Sequence, residues 1–159
     1  MFQKANKAWC RSGISLIETM NAIAILSIAV IGASGYRYCS TLNARKANAY
    51  IASAQIGHLL SESWRGLQGS ETYDPAAHLG GGLTIKASNG PDAPGDYSVL
   101  GSYEIVLNNA VFYATLSWKD LSSDLRALNI VLIWDQRSQG QYEIDKADRS
   151  FELTTYVLN

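Results

Sequence analysis

The chain has 159 residues and a formal net charge of −1, which suits one modest domain with an appendage. Charged residues make up 17%, below the ~25% of an ordinary soluble domain, and the deficit is concentrated between Thr19 and Tyr36, where no side chain is charged. Lys4, Lys7 and Arg11 place +3 in residues 1–13 and leave −4 on the remainder; such an acidic body lacks the clustered Lys and Arg that phosphate binding requires, which argues against nucleic acid as a partner.

In chain order, residues 1–13 are short, basic and free of acids, the composition of a membrane-orientation signal rather than a nucleic-acid arm. Residues 14–37 follow as an apolar run whose charges are Glu18 near its start and Arg37 at its end. A helix rises ~1.5 Å per residue, so ~20 residues cross the ~30 Å hydrocarbon core, and this run is long enough to span it. Residues 38–68 contain no proline and are rich in helix formers. Ala49, Ala52, Ile56, Leu59, Leu60, Ser63 and Leu67 recur there at helical spacing as the expected core face. No breaker separates the two stretches, so the sequence predicts one continuous helix from about Leu16 to Arg65. Gly35 inside it costs ~1 kcal/mol against alanine, and Gly66 and Gly69 supply the stop.

Residues 69–96 form a loop-rich connection holding all three prolines, with a short strand expected at 83–87. Beyond it the pattern changes to period two over 97–107, 111–118, 129–134 and 151–158, each enriched in β-branched and aromatic residues. Phe112, Ala114, Leu116 and Trp118 share one face, with Tyr113, Thr115 and Ser117 opposite. Asn108-Asn109 suits the positive φ values of a tight hairpin turn. Residues 119–126 and 135–150 read as polar connections. The expected fold class is α+β: a long N-terminal helix whose second half packs on an antiparallel sheet of about four strands spanning 97–159. Trp64, Trp118 and Trp134 read as packing anchors.

The chemistry-bearing string is Gly13-Ile14-Ser15-Leu16-Ile17-Glu18. It sets a glycine before a neutral start, with leucine three positions on and a lone carboxylate five positions on, at the head of an apolar helix. This resembles the leader of type IV prepilins and type II secretion pseudopilins. The resemblance implies cleavage between Gly13 and Ile14 by a membrane prepilin peptidase, and N-methylation of the new Ile14 terminus by the same enzyme. It also implies an assembly and register role for Glu18, paired with the Ile14 amine of a neighbouring subunit. Ile14 stands where phenylalanine is commoner, and Gly35 stands where many major pilins carry a kinking proline. Residues 114–120 and 126–130 look like the closing strands of pilus-modification minor pilins and I-type minor pseudopilins. The implied protein is an accessory subunit without cofactor, whose partners are the peptidase, other pilin or pseudopilin subunits, the inner-membrane assembly platform and membrane lipid. The implied location is the cytoplasmic membrane, with a single pass and the C-terminal domain outside, and then a periplasmic or surface filament.

Two other classes compete on the residues. An ordinary secretory signal also has a basic start and an apolar core, with 29–35 as its cleavage region; Glu18 and the helical pattern beyond that region speak against it. For an enzyme or metal site, His58 and His78 stand apart without a metal-ligand spacing, and Gly80-Gly81-Gly82 lacks a following Lys-Ser/Thr. Asp74, Asp92 and Asp96 share the loop without the spacing of a calcium motif. Cys10 and Cys39 exclude a disulfide scaffold.

Overall fold

The computed structural model describes residues 15–135 and 147–158. It contains helix α1 (Leu16–Gly66), a short helix α2 (Pro75–Leu79) and strands β1 (Thr84–Ala87), β2 (Ser98–Leu107), β3 (Ala110–Ser122), β4 (Leu125–Trp134) and β5 (Arg149–Leu158). The chain divides into two compact units, Met1–Asn43 and Ala44–Asn159, and α1 contributes to both.

The predicted helix is continuous, 51 residues long, and unbroken at Gly35. Its stop works through Gly69 rather than Gly66. Gln68 and Gly69 have φ of 54° and 68°, and the Gly69 N–H donates to the Trp64 carbonyl at 3.1 Å. Such a reversal satisfies carbonyls left open at a helix end. Gly69 is also a point of close approach, since a Cβ there would lie 2.9 Å from Val157 and 3.1 Å from Leu128.

In the second unit the sheet has five antiparallel strands in sequence order, β1-β2-β3-β4-β5. The expected four are β2 to β5, and the strand foreseen at 83–87 joins their edge as β1, pairing Ile85 with Ile105. Asn108 and Asn109 turn β2 into β3 with φ of 51° and 63°, as the sequence predicts. Residues 119–126 correct the sequence reading: they are the ends of β3 and β4, with Lys119 opposite Ala127 and Asp120 opposite Arg126. Asp120 and Arg126 pair their charges across the ladder, so a polar stretch that resembles a loop can extend a hairpin. The polar connection expected to run to 150 likewise ends earlier, where β5 begins at Arg149.

The core lies between residues 49–64 of α1 and the inner sheet face. Ile56, Leu60 and Trp64 meet Phe112, Ala114, Leu116, Leu128, Ile130 and Leu132 in one buried cluster. Of the expected face, Ile56 and Leu60 are buried and Ala49 and Ala52 pack against the core, but the buried stripe is shifted at its edges. Leu59 and Leu67 are exposed, at 45% and 40%, whereas Ser53, Gly57 and Ser61 are buried. Gly57 shows why: a Cβ there would sit 2.8 Å from the Phe151 ring and 3.3 Å from Leu132. Small residues at i, i+4 and i+8 let the helix backbone come down onto the sheet, and larger residues are displaced to the flanks.

The opposite sheet face is also covered near its centre. Thr115 and Ser117 are buried although they point away from the helix. Residues 88–97 cross there: Gly90 abuts Thr115 and Ser102, and the Thr115 hydroxyl donates to the Pro91 carbonyl at 2.7 Å. Alongside, Asn129 donates to Glu152 at 2.7 Å and to Thr154 at 3.0 Å, so this buried amide is satisfied by side chains of the neighbouring strand.

Because helix 44–66, sheet and loop bury one another within Ala44–Asn159, that unit should stand alone. Deleting residues up to Asn43 is expected to give a soluble fragment that unfolds cooperatively in urea. An aggregated fragment, or one without a folding transition, would show that the core depends on the first unit.

Candidate functional site

The candidate site is the first half of α1. Ser15 precedes the helix, and its hydroxyl accepts from the Ile17 N–H at 3.3 Å while its carbonyl accepts from the Thr19 N–H at 3.1 Å. That is the geometry of an N-cap. Glu18 follows in the first turn, where the positive end of the helix dipole favours a carboxylate. Among the described residues it has no ion-pair partner. Gly13 and Ile14, the predicted cleavage and methylation positions, lie outside the described residues, as does the basic leader 1–13.

From Leu16 the apolar side chains cover every side of the helix rather than a stripe. Ile25 and Leu26 are adjacent, as are Val30 and Ile31, and none is covered within the chain; Ile31 is 72% exposed. The helix is long and apolar enough to cross a membrane, and no part of its most apolar window is buried. Nine large aliphatic side chains from Leu16 to Ile31 are exposed, and burying them would be worth roughly 13–27 kcal/mol at ~1.5–3 kcal/mol each. A helix that is apolar on all sides suits an apolar medium rather than water.

Four hydroxyls in this half bond within their own helix. The hydroxyls of Thr19, Ser27, Ser34 and Thr41 each donate to the carbonyl four residues earlier, at 3.3, 2.8, 2.8 and 2.9 Å. Each is thereby satisfied inside its own helix, as an apolar medium demands. Cys39, just beyond the apolar run, is an exposed free thiol.

The other candidates from the sequence are dispersed. Asp74 caps α2, accepting from the Ala76 N–H at 3.0 Å, and Asp96 forms an ion pair with Lys119. The bonded ammonium holds the Asp96 carboxyl below the usual range, and the carboxylate in turn raises Lys119. His58 stands 3.9 Å from Glu62 on an exposed helix face, and the His78 ring contacts Tyr73. Among the described residues no three metal-ligating side chains gather.

Trp64 and Trp134 are buried core anchors, and Trp118, half-buried, carries the Arg126 guanidinium 4.0 Å above its ring. Sequence reasoning missed Arg126, a buried tie between three parts of the second unit. It donates to the Gly69 carbonyl at 3.0 Å, to Glu71 at 3.1 Å, and to Asp120 at 2.6 and 3.1 Å. These contacts, the one to Asp120 first, raise its already high pKa. The available signal was the Asp120/Arg126 spacing about a tight turn. No family model, curated protein or solved structure matches this chain.

Proposed function

We propose that the chain is an accessory type IV pilin-like subunit, without enzymatic activity. A membrane peptidase cuts between Gly13 and Ile14 and methylates the new amine, and the apolar half of α1 then carries the subunit from the cytoplasmic membrane into a filament. One observation carries the reading: the Gly13-to-Glu18 string opens a helix whose first half is apolar on all sides and uncovered within the chain. A secretory signal would need a cut near 29–35, in the middle of a helix that runs on to Gly66. On this reading Glu18 meets the Ile14 amine of a neighbour, whose unperturbed pKa of about 7.7–8.0 keeps it cationic near neutral pH.

A second reading is a minor pseudopilin of a type II secretion or DNA-uptake system, because residues 114–120 and 126–130 look like the closing strands of both kinds of subunit. Both readings share the processing step. Mass spectrometry of the mature N-terminal peptide should find Ile14 first, heavier by one methyl group. A terminus near Ser34 or Tyr36 would replace both readings with a conventionally secreted domain. An adjacent secretin, assembly ATPase and other reading frames with the same leader would identify the machine.

A further inference from the structure

Residues 88–97 cross the outer face of the sheet as a strap that is fastened along its length. The Ser88 N–H donates to the Ser102 carbonyl at 3.0 Å, the Pro91 carbonyl accepts from the Thr115 hydroxyl at 2.7 Å, and Asp96 is ion-paired with Lys119. Between the first two fastenings stand only Asn89 and Gly90. Gly90 is held there by lack of space. A Cβ on it would come within 2.2 Å of the Thr115 hydroxyl oxygen and 2.8 Å of the Ser102 Cβ, so any larger residue would lift the strap.

Asn89 is exposed, and among the described residues neither its carboxamide nor the Gly90 N–H has a hydrogen-bond partner. It is also the one asparagine in the sequence followed by glycine. A backbone nitrogen that has lost its proton can attack the side-chain carbonyl carbon of the asparagine before it. A side chain on the attacking residue obstructs that approach, and glycine leaves it open.

We propose that Asn89-Gly90 is a self-modification site, whose conversion to isoaspartate releases the strap from the sheet and marks the age of the folded domain. The Gly90 nitrogen gives its proton to water and bonds to Asn89 Cγ. The Cγ–Nδ2 bond breaks, Nδ2 leaves as ammonia, and a succinimide ring is closed. Water then opens the ring. Attack at Cγ breaks its bond to nitrogen and gives aspartate; attack at the main-chain carbonyl breaks the original peptide bond and gives isoaspartate, with the chain now running through Cγ. Either way one water is consumed and one ammonia released, with no change of oxidation state.

Isoaspartate inserts one extra carbon into the main chain between the Ser88 and Pro91 fastenings. Gly90 then cannot keep its place against Thr115 and Ser102, the Thr115 bond to Pro91 opens, and the buried hydroxyls of Thr115 and Ser117 come into water. Because the seat of the strap demands glycine at 90, the labile pair is a consequence of the packing itself.

The test uses the full chain in detergent micelles, aged at mildly acidic and mildly alkaline pH in water enriched in heavy oxygen. Trypsin releases residues 87–119 as one peptide, and its fragmentation should show loss of ammonia and uptake of heavy oxygen at residue 89. Conversion should be faster at the alkaline pH, since the attacking nitrogen must be deprotonated. An isoaspartate-specific methyltransferase counts the longer product. In the isoaspartate fraction, chymotryptic cleavage after Tyr97 should be at least about tenfold faster than in fresh protein, because proteolysis follows the population of the opened strap. Asn89→Gln, whose ring would be one atom larger, should neither convert nor loosen over the same time. Asn89→Asp, assayed fresh, has the new charge without the extra carbon and should be cleaved at close to the wild-type rate.

An unchanged residue 89 in the folded chain, over a time in which a synthetic peptide of residues 84–97 converts, would overturn the proposal. So would conversion to isoaspartate without faster cleavage, or an equal loosening of fresh Asn89→Asp, which would assign the effect to charge. None of these outcomes involves the N-terminus, so failure here and failure of the pilin-like reading are separate results.

Discussion

Glu18→Ala is expected to leave membrane levels and processing near wild type while filament incorporation falls sharply. A lone carboxylate near the bilayer centre costs ~2.5–3.5 kcal/mol, less near the interface, so on solvation grounds alanine makes insertion easier. Among the described residues Glu18 has no ion-pair partner of its own, and the partner invoked is the neighbour's Ile14 amine. Removing one member of a desolvated pair costs ~3–5 kcal/mol, which is about two to three and a half orders of magnitude in an equilibrium. Glu18→Asp, one methylene shorter, should recover part of the loss. The measurement compares membrane and sheared-filament fractions for both variants, counting filaments as well, since an accessory subunit acts on filament number. Equal incorporation of the alanine variant would remove the pairing role and leave the cleavage claim standing.

The second large effect is expected at Trp64. It is fully buried, donates from Nε1 to the Ser70 carbonyl at 2.9 Å, and stacks on Tyr73 with ring centres 5.8 Å apart. Trp64→Ala removes the largest fully buried side chain among the described residues and leaves a carbonyl without its donor. The expected loss is ~3–5 kcal/mol, enough to unfold a marginal domain. Trp64→Phe keeps most of the volume, and its smaller loss, about 1–2 kcal/mol, would isolate the hydrogen bond and the missing ring. Urea unfolding of the Ala44–Asn159 fragment, or of the full chain in detergent, measures both. A Trp64→Ala protein as stable as wild type would mean that the helix end is not part of the core.

The long helix was legible because no breaker interrupts it and the change from all-apolar to amphipathic patterning occurs inside one helical period. Its buried stripe was less legible. Periodicity weighs hydrophobicity, but at Ser53, Gly57 and Ser61 the sheet selects for smallness, which no hydrophobic pattern reports. The β3–β4 hairpin was shortened in the reading because Asp120 and Arg126 look like loop residues until they stand opposite each other. Helix α2 passed unnoticed at five residues, although Asp74 followed by Pro75 is a sound start signal. The Gly13-to-Glu18 string has meaning through resemblance alone, because a peptidase site is defined by another protein's active site rather than by packing within this chain.

The hydroxyls of Thr19, Ser27, Ser34 and Thr41 bear on more than local geometry. Each is bonded to its own helix backbone, so none needs an outside partner in lipid and none has to surrender one on leaving. The helix can therefore exchange one apolar medium for another, acyl chains for neighbouring helices, without breaking any of these hydrogen bonds. On the pilin-like reading, the barrier to such a transfer falls on shape and on Glu18 and Arg37, charges of that half without an ion-pair partner among the described residues.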